Sequence, residues 1–198
     1  NLLICSTSPH YPGKVNKLII IVRMMILTLL TATFLALFST TALGAELVEI
    51  QLLDKLDETR SYCIDIRGYK ERAKVHRGLQ AHTCYSYQGK LGVDQVFDKS
   101  LIQFGKFYMP VFDVCMEAEK HSEGASLTLK NCNDKALQKF NFTPENQIKV
   151  SGKHNLCVAV ESEKSRQGGG GTPTHLIRSL QLKSYSRAGF KYTAWKIK

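Results

Sequence analysis

From residue 46 to 198 the chain alternates apolar and polar positions in short runs bounded by glycine and polar turns, with almost no helical spacing. Runs of that period predict strands rather than helices. Three of them carry a cysteine at the second position: YCIDI (62–66), VCMEA (114–118) and LCVAV (156–160). Downstream of each, in one register, come LQAHTC (79–84), LTLKNC (127–132) and LQLKSY (180–185). Each unit then closes on an aromatic, at Phe97 after DQV, at Phe140 after LQK and at Trp195 after YTA.

The first cysteines of the units lie 52 and 42 residues apart, a period typical of repeat architectures. Three units are too few for a capped solenoid, but three can close on a threefold axis. The pattern therefore predicts an all-β fold, with a barrel closed from three copies that leaves no unpaired strand edge. In such a barrel Phe97, Phe140 and Trp195 point inward as core.

The cysteines follow the same register. Cys63 with Cys84, and Cys115 with Cys132, pair naturally within their units, each closing a loop of about twenty residues worth about 3 kcal/mol. The third unit has Cys157 but Tyr185 at the second cysteine position, so Cys157 is expected to be a free buried thiol rather than an intermolecular link. Between them lies SRQGGGGTP (165–173), whose four glycines read as a floppy surface excursion, since no strand–glycine–helix context makes it a phosphate loop.

The first 45 residues read differently. Lys14, Lys17 and Arg23 precede the apolar run MMILTLLTATFLALF (24–38), followed by small residues. That is the order of a cleaved secretory signal, with cleavage after Gly44 or Ala45 and a true start at Met24 or Met25. A membrane anchor is the competing reading, but Arg23 interrupts the apolar stretch and the uninterrupted run is short for a span. The expected mature domain, 46–198, divides into repeats at about 46–105, 106–152 and 153–198.

Composition changes this picture little. Of the formal +10 charge, the three basic residues of the signal region account for +3, leaving a moderately basic domain that favours anionic surfaces without naming a partner. Export to an oxidising compartment makes disulfides the first reading of the cysteines. No Cys-x-x-Cys spacing occurs, and the histidines are scattered, so no metal site and no cofactor are expected.

The combination of CIDI, LQAHTC and DQVF resembles the ricin B-type lectin family, over nearly all of residues 46–198. The resemblance implies a β-trefoil with pseudo-threefold symmetry, each repeat carrying a Cys-x-Asp strand, an aromatic-x-Cys strand and a Gln-x-Trp end. It also implies a sugar pocket in the first repeat. Asp65 would accept bonds from two neighbouring hydroxyls, His82 would sit at the ring-stacking position, Asp94 would replace the usual Asn, and Gln95 would support them. Tyr85 or Tyr87 could add aromatic surface. The second repeat has Glu117, Lys130, Leu137 and Gln138 at these places, and the third has Ala159, Lys183, Tyr192 and Thr193. Both read as structural repeats.

A lone shallow pocket of this kind holds a monosaccharide with roughly 4–6 kcal/mol, so useful avidity would need multivalency. The resulting expectation is a secreted or periplasmic carbohydrate-binding module. It would meet a glycan or polysaccharide, bind no nucleic acid, and touch membrane only through glycans or during export. A β-trefoil binding a protein or an anionic polymer without sugar specificity is the alternative. No Ser-His-Asp arrangement, metal set or phosphate loop supports an enzyme, and Asp65 with Asp94 fits binding better than a glycosidase pair.

Overall fold

The three cysteine-centred runs all form strands, each turned back on the strand downstream of it. The computed structural model describes residues 44–198, together with 21–23 and 25. Most of the basic and apolar run read as an export signal lies outside the described residues. No helix among the described residues is long and apolar enough to cross a membrane.

The strands are β1 (Leu47–Leu52), β2 (Tyr62–Ile66), β3 (Leu79–Thr83), β4 (Val96–Asp98), β5 (Tyr108–Met109), β6 (Val114–Ala118) and β7 (Leu127–Lys130). They continue with β8 (Phe140–Phe142), β9 (Ile148–Val150), β10 (Lys153–Val160), β11 (Arg166–Gln167), β12 (Leu176–Ser184) and β13 (Trp195–Ile197). Setting β11 aside, they fall into three sets of four, and in each the cysteine-bearing strand pairs antiparallel with the strand carrying the downstream motif: β2–β3, β6–β7 and β10–β12. The remaining strands pair around the barrel, with β1 flanked by β4 and β13, and β8 by β9. A bridge between Gln147 and Ala194 adds a further link. This is a β-trefoil, all-β and built from three repeats, with only single-turn helices such as Lys99–Ile102 between strands.

The alternation of the sequence is explained by the barrel interior. Phe97, Phe140 and Trp195 are fully buried, as the repeat pattern predicts. Phe107 stacks edge-on between Phe97 and Phe140, with centroids 6.2 and 5.8 Å away, a preferred aromatic geometry. The one polar atom of the Trp195 ring is satisfied, Nε1 donating to the Val158 carbonyl at 3.0 Å. Burying a polar N–H without a partner would offset much of what the ring contributes.

Both disulfides form, Cys63–Cys84 and Cys115–Cys132, with Cα–Cα distances of 4.9 and 5.0 Å that the hairpin registers impose. Cys157 is free and buried, and burial pushes its thiol up to about 11, leaving it protonated and unreactive at neutral pH.

The glycine segment differs from the expectation of a floppy excursion. Arg166–Gln167 pairs with β12 as strand β11, and the hairpin is closed by Gly168 N–H to the His175 carbonyl (2.7 Å) and His175 N–H to the Gly170 carbonyl (3.0 Å). The Arg60 guanidinium reaches it from the first repeat, donating to the carbonyls of Pro173 and Thr174 at 2.8 and 3.0 Å. Asp57 accepts from the Ser165 hydroxyl at 2.6 Å and from Arg178 at 2.8 Å. These long-range polar ties hold in place a glycine run that composition alone marks as flexible.

Candidate functional site

The site begins with the β2–β3 register. Asp65 stands opposite Gln80, and Cys63 opposite His82. Because strand side chains alternate faces, Ile64, Ile66, Leu79 and Ala81 go to the core while Asp65, Gln80 and His82 share the other side. Gln80 Nε2 donates to Asp65 Oδ1 at 2.8 Å. Gln95, just before β4, reaches the same carboxylate, its Nε2 lying 3.1 Å from Asp65 Oδ2 and 3.1 Å from the Thr83 carbonyl. Its Oε1 accepts from Tyr85 N–H at 2.9 Å. Gln95 thus ties the loop after Cys84 to the hairpin.

His82 Nδ1 lies 2.8 Å from the Thr83 carbonyl, which can only accept, so this nitrogen carries the proton. Burial holds the imidazole down to about 4, against the opposing hydrogen bond to the Thr83 carbonyl, with the Arg60 charge acting in the same direction as burial. It is neutral at physiological pH, leaving Nε2 as an acceptor. Burial raises Asp65 well above the usual carboxylate range, and the neighbouring Asp94 adds to this. Asp94 turns away. Its Oδ2 accepts from Lys70 N–H at 2.6 Å and its backbone carbonyl from Ile66 N–H at 2.9 Å. Gly92 matters here because a Cβ would stand 2.3 Å from the Tyr85 ring, which packs against His82 and His175.

The four residues expected to form the pocket are therefore brought together, but below the surface. Asp65 is 1% exposed, and His82, Asp94 and Gln95 are buried with it. In front of them opens a cavity of about 590 Å³, floored by Gln80 and His82 and walled by Arg67, Tyr69, Arg77, Arg166 and Gly168 to Gly170. Tyr85 and Tyr87 do not line it. Tyr85 is buried beside His82, and the Tyr87 hydroxyl is 2.9 Å from His175 Nε2, with Arg60 over its ring at 5.2 Å.

The aromatic that faces the cavity is Tyr69, 49% exposed, which sequence reasoning missed. Its only sequence signal is position, four residues after Asp65 in DIRGY. The Gly168–Gly170 wall had none, because it comes from the third repeat.

The second repeat holds a related cluster. Gln138 Nε2 donates to Glu117 at 2.9 Å and to the Asn131 carbonyl at 3.0 Å, and Gln138 Oε1 accepts from Asn133 N–H at 2.8 Å. Glu117 itself lines an open cavity of about 760 Å³ with Lys130, Asn131, Asn133 and Lys135. The third repeat has Thr193 in place of the glutamine, and its hydroxyl turns back on the Gly189 carbonyl at 3.2 Å.

Among the described residues, one group has the spacing of metal ligands, Glu49 with Cys63 and Cys84. Both sulfurs are consumed by their disulfide, so they offer no thiolate.

Residues 103–170 match the family model of the ricin-type beta-trefoil lectin domain. That segment, about a third of the chain, is similar to the ricin-type lectin domain, and the fold around it is a β-trefoil. The matched residues hold Glu117 and Gln138 but none of Asp65, His82, Asp94 or Gln95. Among solved structures, the agglutinin of Abrus precatorius is similar over 79% of this chain at 15% identity, with a TM-score of 0.50. The chain spans about half (48%) of that agglutinin chain. The β-trefoil lectin of the Vibrio vulnificus hemolysin/cytolysin, solved with N-acetyl-D-lactosamine, is 17% identical over 78% of this chain and 95% of its own, with a TM-score of 0.45. The C-half of an earthworm R-type lectin, solved with GalNAc, is 13% identical over 77% of this chain and 98% of its own, with a TM-score of 0.47. No curated protein sequence matches the chain. At these identities the likeness concerns the ricin-type trefoil fold, and the ligand has to be argued from the site.

Proposed function

We propose that this trefoil is a carbohydrate-binding module that takes a sugar in the first-repeat cavity. It would act after export and without catalysis. The observation that carries the reading is the exposed Tyr69 ring facing a polar floor of Gln80 and His82, fixed from behind by Asp65 and Gln95. A flat aromatic face suits the C–H side of a sugar ring, and a few preset polar atoms suit its hydroxyls. His82 Nε2 is an acceptor for one hydroxyl. Asp65 acts as a positioning residue, since both its oxygens are engaged by glutamine amides.

Binding of the full chain to a panel of immobilised glycans tests this. Tyr69→Ala, a surface change that leaves the core intact, should weaken the best glycan roughly tenfold. Asp65→Asn should weaken it by displacing Gln80 and Gln95. Glu117→Gln in the second repeat should leave it unchanged. Binding insensitive to Tyr69→Ala but lost in Glu117→Gln would move the site to the second repeat.

A further inference from the structure

The first-repeat cavity has an uneven chemistry. Three guanidinium groups, Arg67, Arg77 and Arg166, line it, and no carboxylate does. Among the described ion pairs none involves these arginines. Arg67 is held partly buried, its Nε donating to the Leu79 carbonyl at 3.3 Å. The acid acting on it, Glu161, is outside the lining and accepts from Gln181 at 3.3 Å. The carboxylates nearest the floor, Asp65 and Asp94, are buried and outside the lining, although Asp94 Oδ1 has no hydrogen-bond partner. Asp65 is occupied by two glutamine amides, and one oxygen of Asp94 by the Lys70 N–H.

Donors therefore outnumber acceptors at the wall. Each guanidinium carries five N–H groups in a planar fork that matches an oxyanion, whereas a neutral sugar also needs acceptors for its own hydroxyl protons. The three cations line one cavity, and burial together with the charges of Arg166 and Arg77 pushes the Arg67 guanidinium down. An anion among them would offset these like charges.

We propose that the first-repeat cavity selects saccharides that carry a carboxylate or sulfate group, bound between Arg67, Arg77 and Arg166 with the sugar ring against Tyr69. This rests on the carbohydrate reading above. Arg166 comes from the third-repeat hairpin, so that hairpin serves as the specificity element for a site in the first repeat. The cluster lies at one cavity beside one ring, which fits a single acidic sugar better than a run of backbone phosphates.

The test is calorimetric titration of the full chain, at about 0.15 M salt, with galactose, galacturonate and galactose 6-sulfate, the matching glucose set, inorganic sulfate and a uridine homopolymer. At least one acidic sugar should bind about tenfold or more tightly than its neutral parent, the size of one charge-assisted contact. Arg166→Gln and Arg77→Gln, both at exposed positions, should each remove most of that preference. Lys120→Gln, an equal loss of charge at an exposed residue outside the cavity, should not. Equal affinity for neutral and acidic sugars overturns this inference and leaves the carbohydrate reading standing. Binding of the homopolymer or of sulfate alone, without any saccharide, overturns both, as does an absence of binding to every probe. A preference that survives both arginine changes overturns the assignment to this cluster.

Discussion

Gln95 and Gln138 make the same three kinds of hydrogen bond at matching points of the first and second repeats. Each amide nitrogen reaches a carboxylate two residues past the first cysteine and the carbonyl just before the second. Each amide oxygen accepts from the N–H just after that cysteine. The surroundings in front of them differ. Asp65 is fully buried, with Gln80 and His82 between it and the cavity, while Glu117 opens directly onto a broad cavity beside Lys130. The glutamine–carboxylate pair is thus an architectural tie that fastens a disulfide loop to its hairpin. In the proposed function, ligand selection belongs to the residues placed over it.

The sharpest break of that comparison is to remove the glutamine from each repeat. Gln95→Ala strips a buried carboxylate, a buried N–H and a carbonyl of their partner at once, and should cost about 3–4 kcal/mol. Gln138→Ala removes the same bonds, but Glu117 is half-buried and water can replace the lost donor, so about 1–2 kcal/mol is expected. Chemical denaturation of the two variants checks this. Equal losses would mean that the two clusters are equally buried in solution.

A second contrast is in pH. His82 and Lys130 occupy the same place in their hairpins, opposite Cys63 and Cys115. The buried His82 titrates at about 4 in the folded chain, against about 6.5 when unfolded. Between those values the unfolded chain binds the extra proton. This contribution to stability is therefore complete above about pH 6.5 and lost as pH falls towards 4, by up to about 3 kcal/mol. His175, also depressed by burial, acts in the same sense, whereas the raised Asp65 and Asp94 act in the opposite one. The difference between wild type and His82→Gln isolates the term. It should shrink steadily over that window in urea melts, and Lys130→Gln should show no such change.

Much of the fold was legible because it is written three times. The cysteine-centred runs, both disulfides and the inward aromatics all follow from one register, and a local misreading in any unit would have been corrected by the other two. The buried members of the candidate site were legible from the same register, Asp65 and Gln95 at positions the second repeat fills with Glu117 and Gln138, His82 and Asp94 where it has Lys130 and Leu137. Its outer wall was not. Tyr69 and Arg67 lie in a turn with no counterpart in the repeat, and Arg77 precedes β3 at a position no periodicity marks. Arg166 and the glycines come from more than 80 residues away, brought in by pairing with β12 and by the Arg60 and Asp57 contacts. Side-chain periodicity reports on burial, so it locates a cavity's floor more readily than its rim.

The most direct measurement is amide chemical-shift mapping of the full chain during titration with its tightest saccharide. Shifts concentrated at Arg67 to Tyr69, Gln80, His82 and Gly168 to Gly170, with the second-repeat segment from Lys130 to Leu137 silent, are the predicted result. Shifts confined to Lys130 to Leu137, with the first-repeat cavity unmoved, would contradict the account.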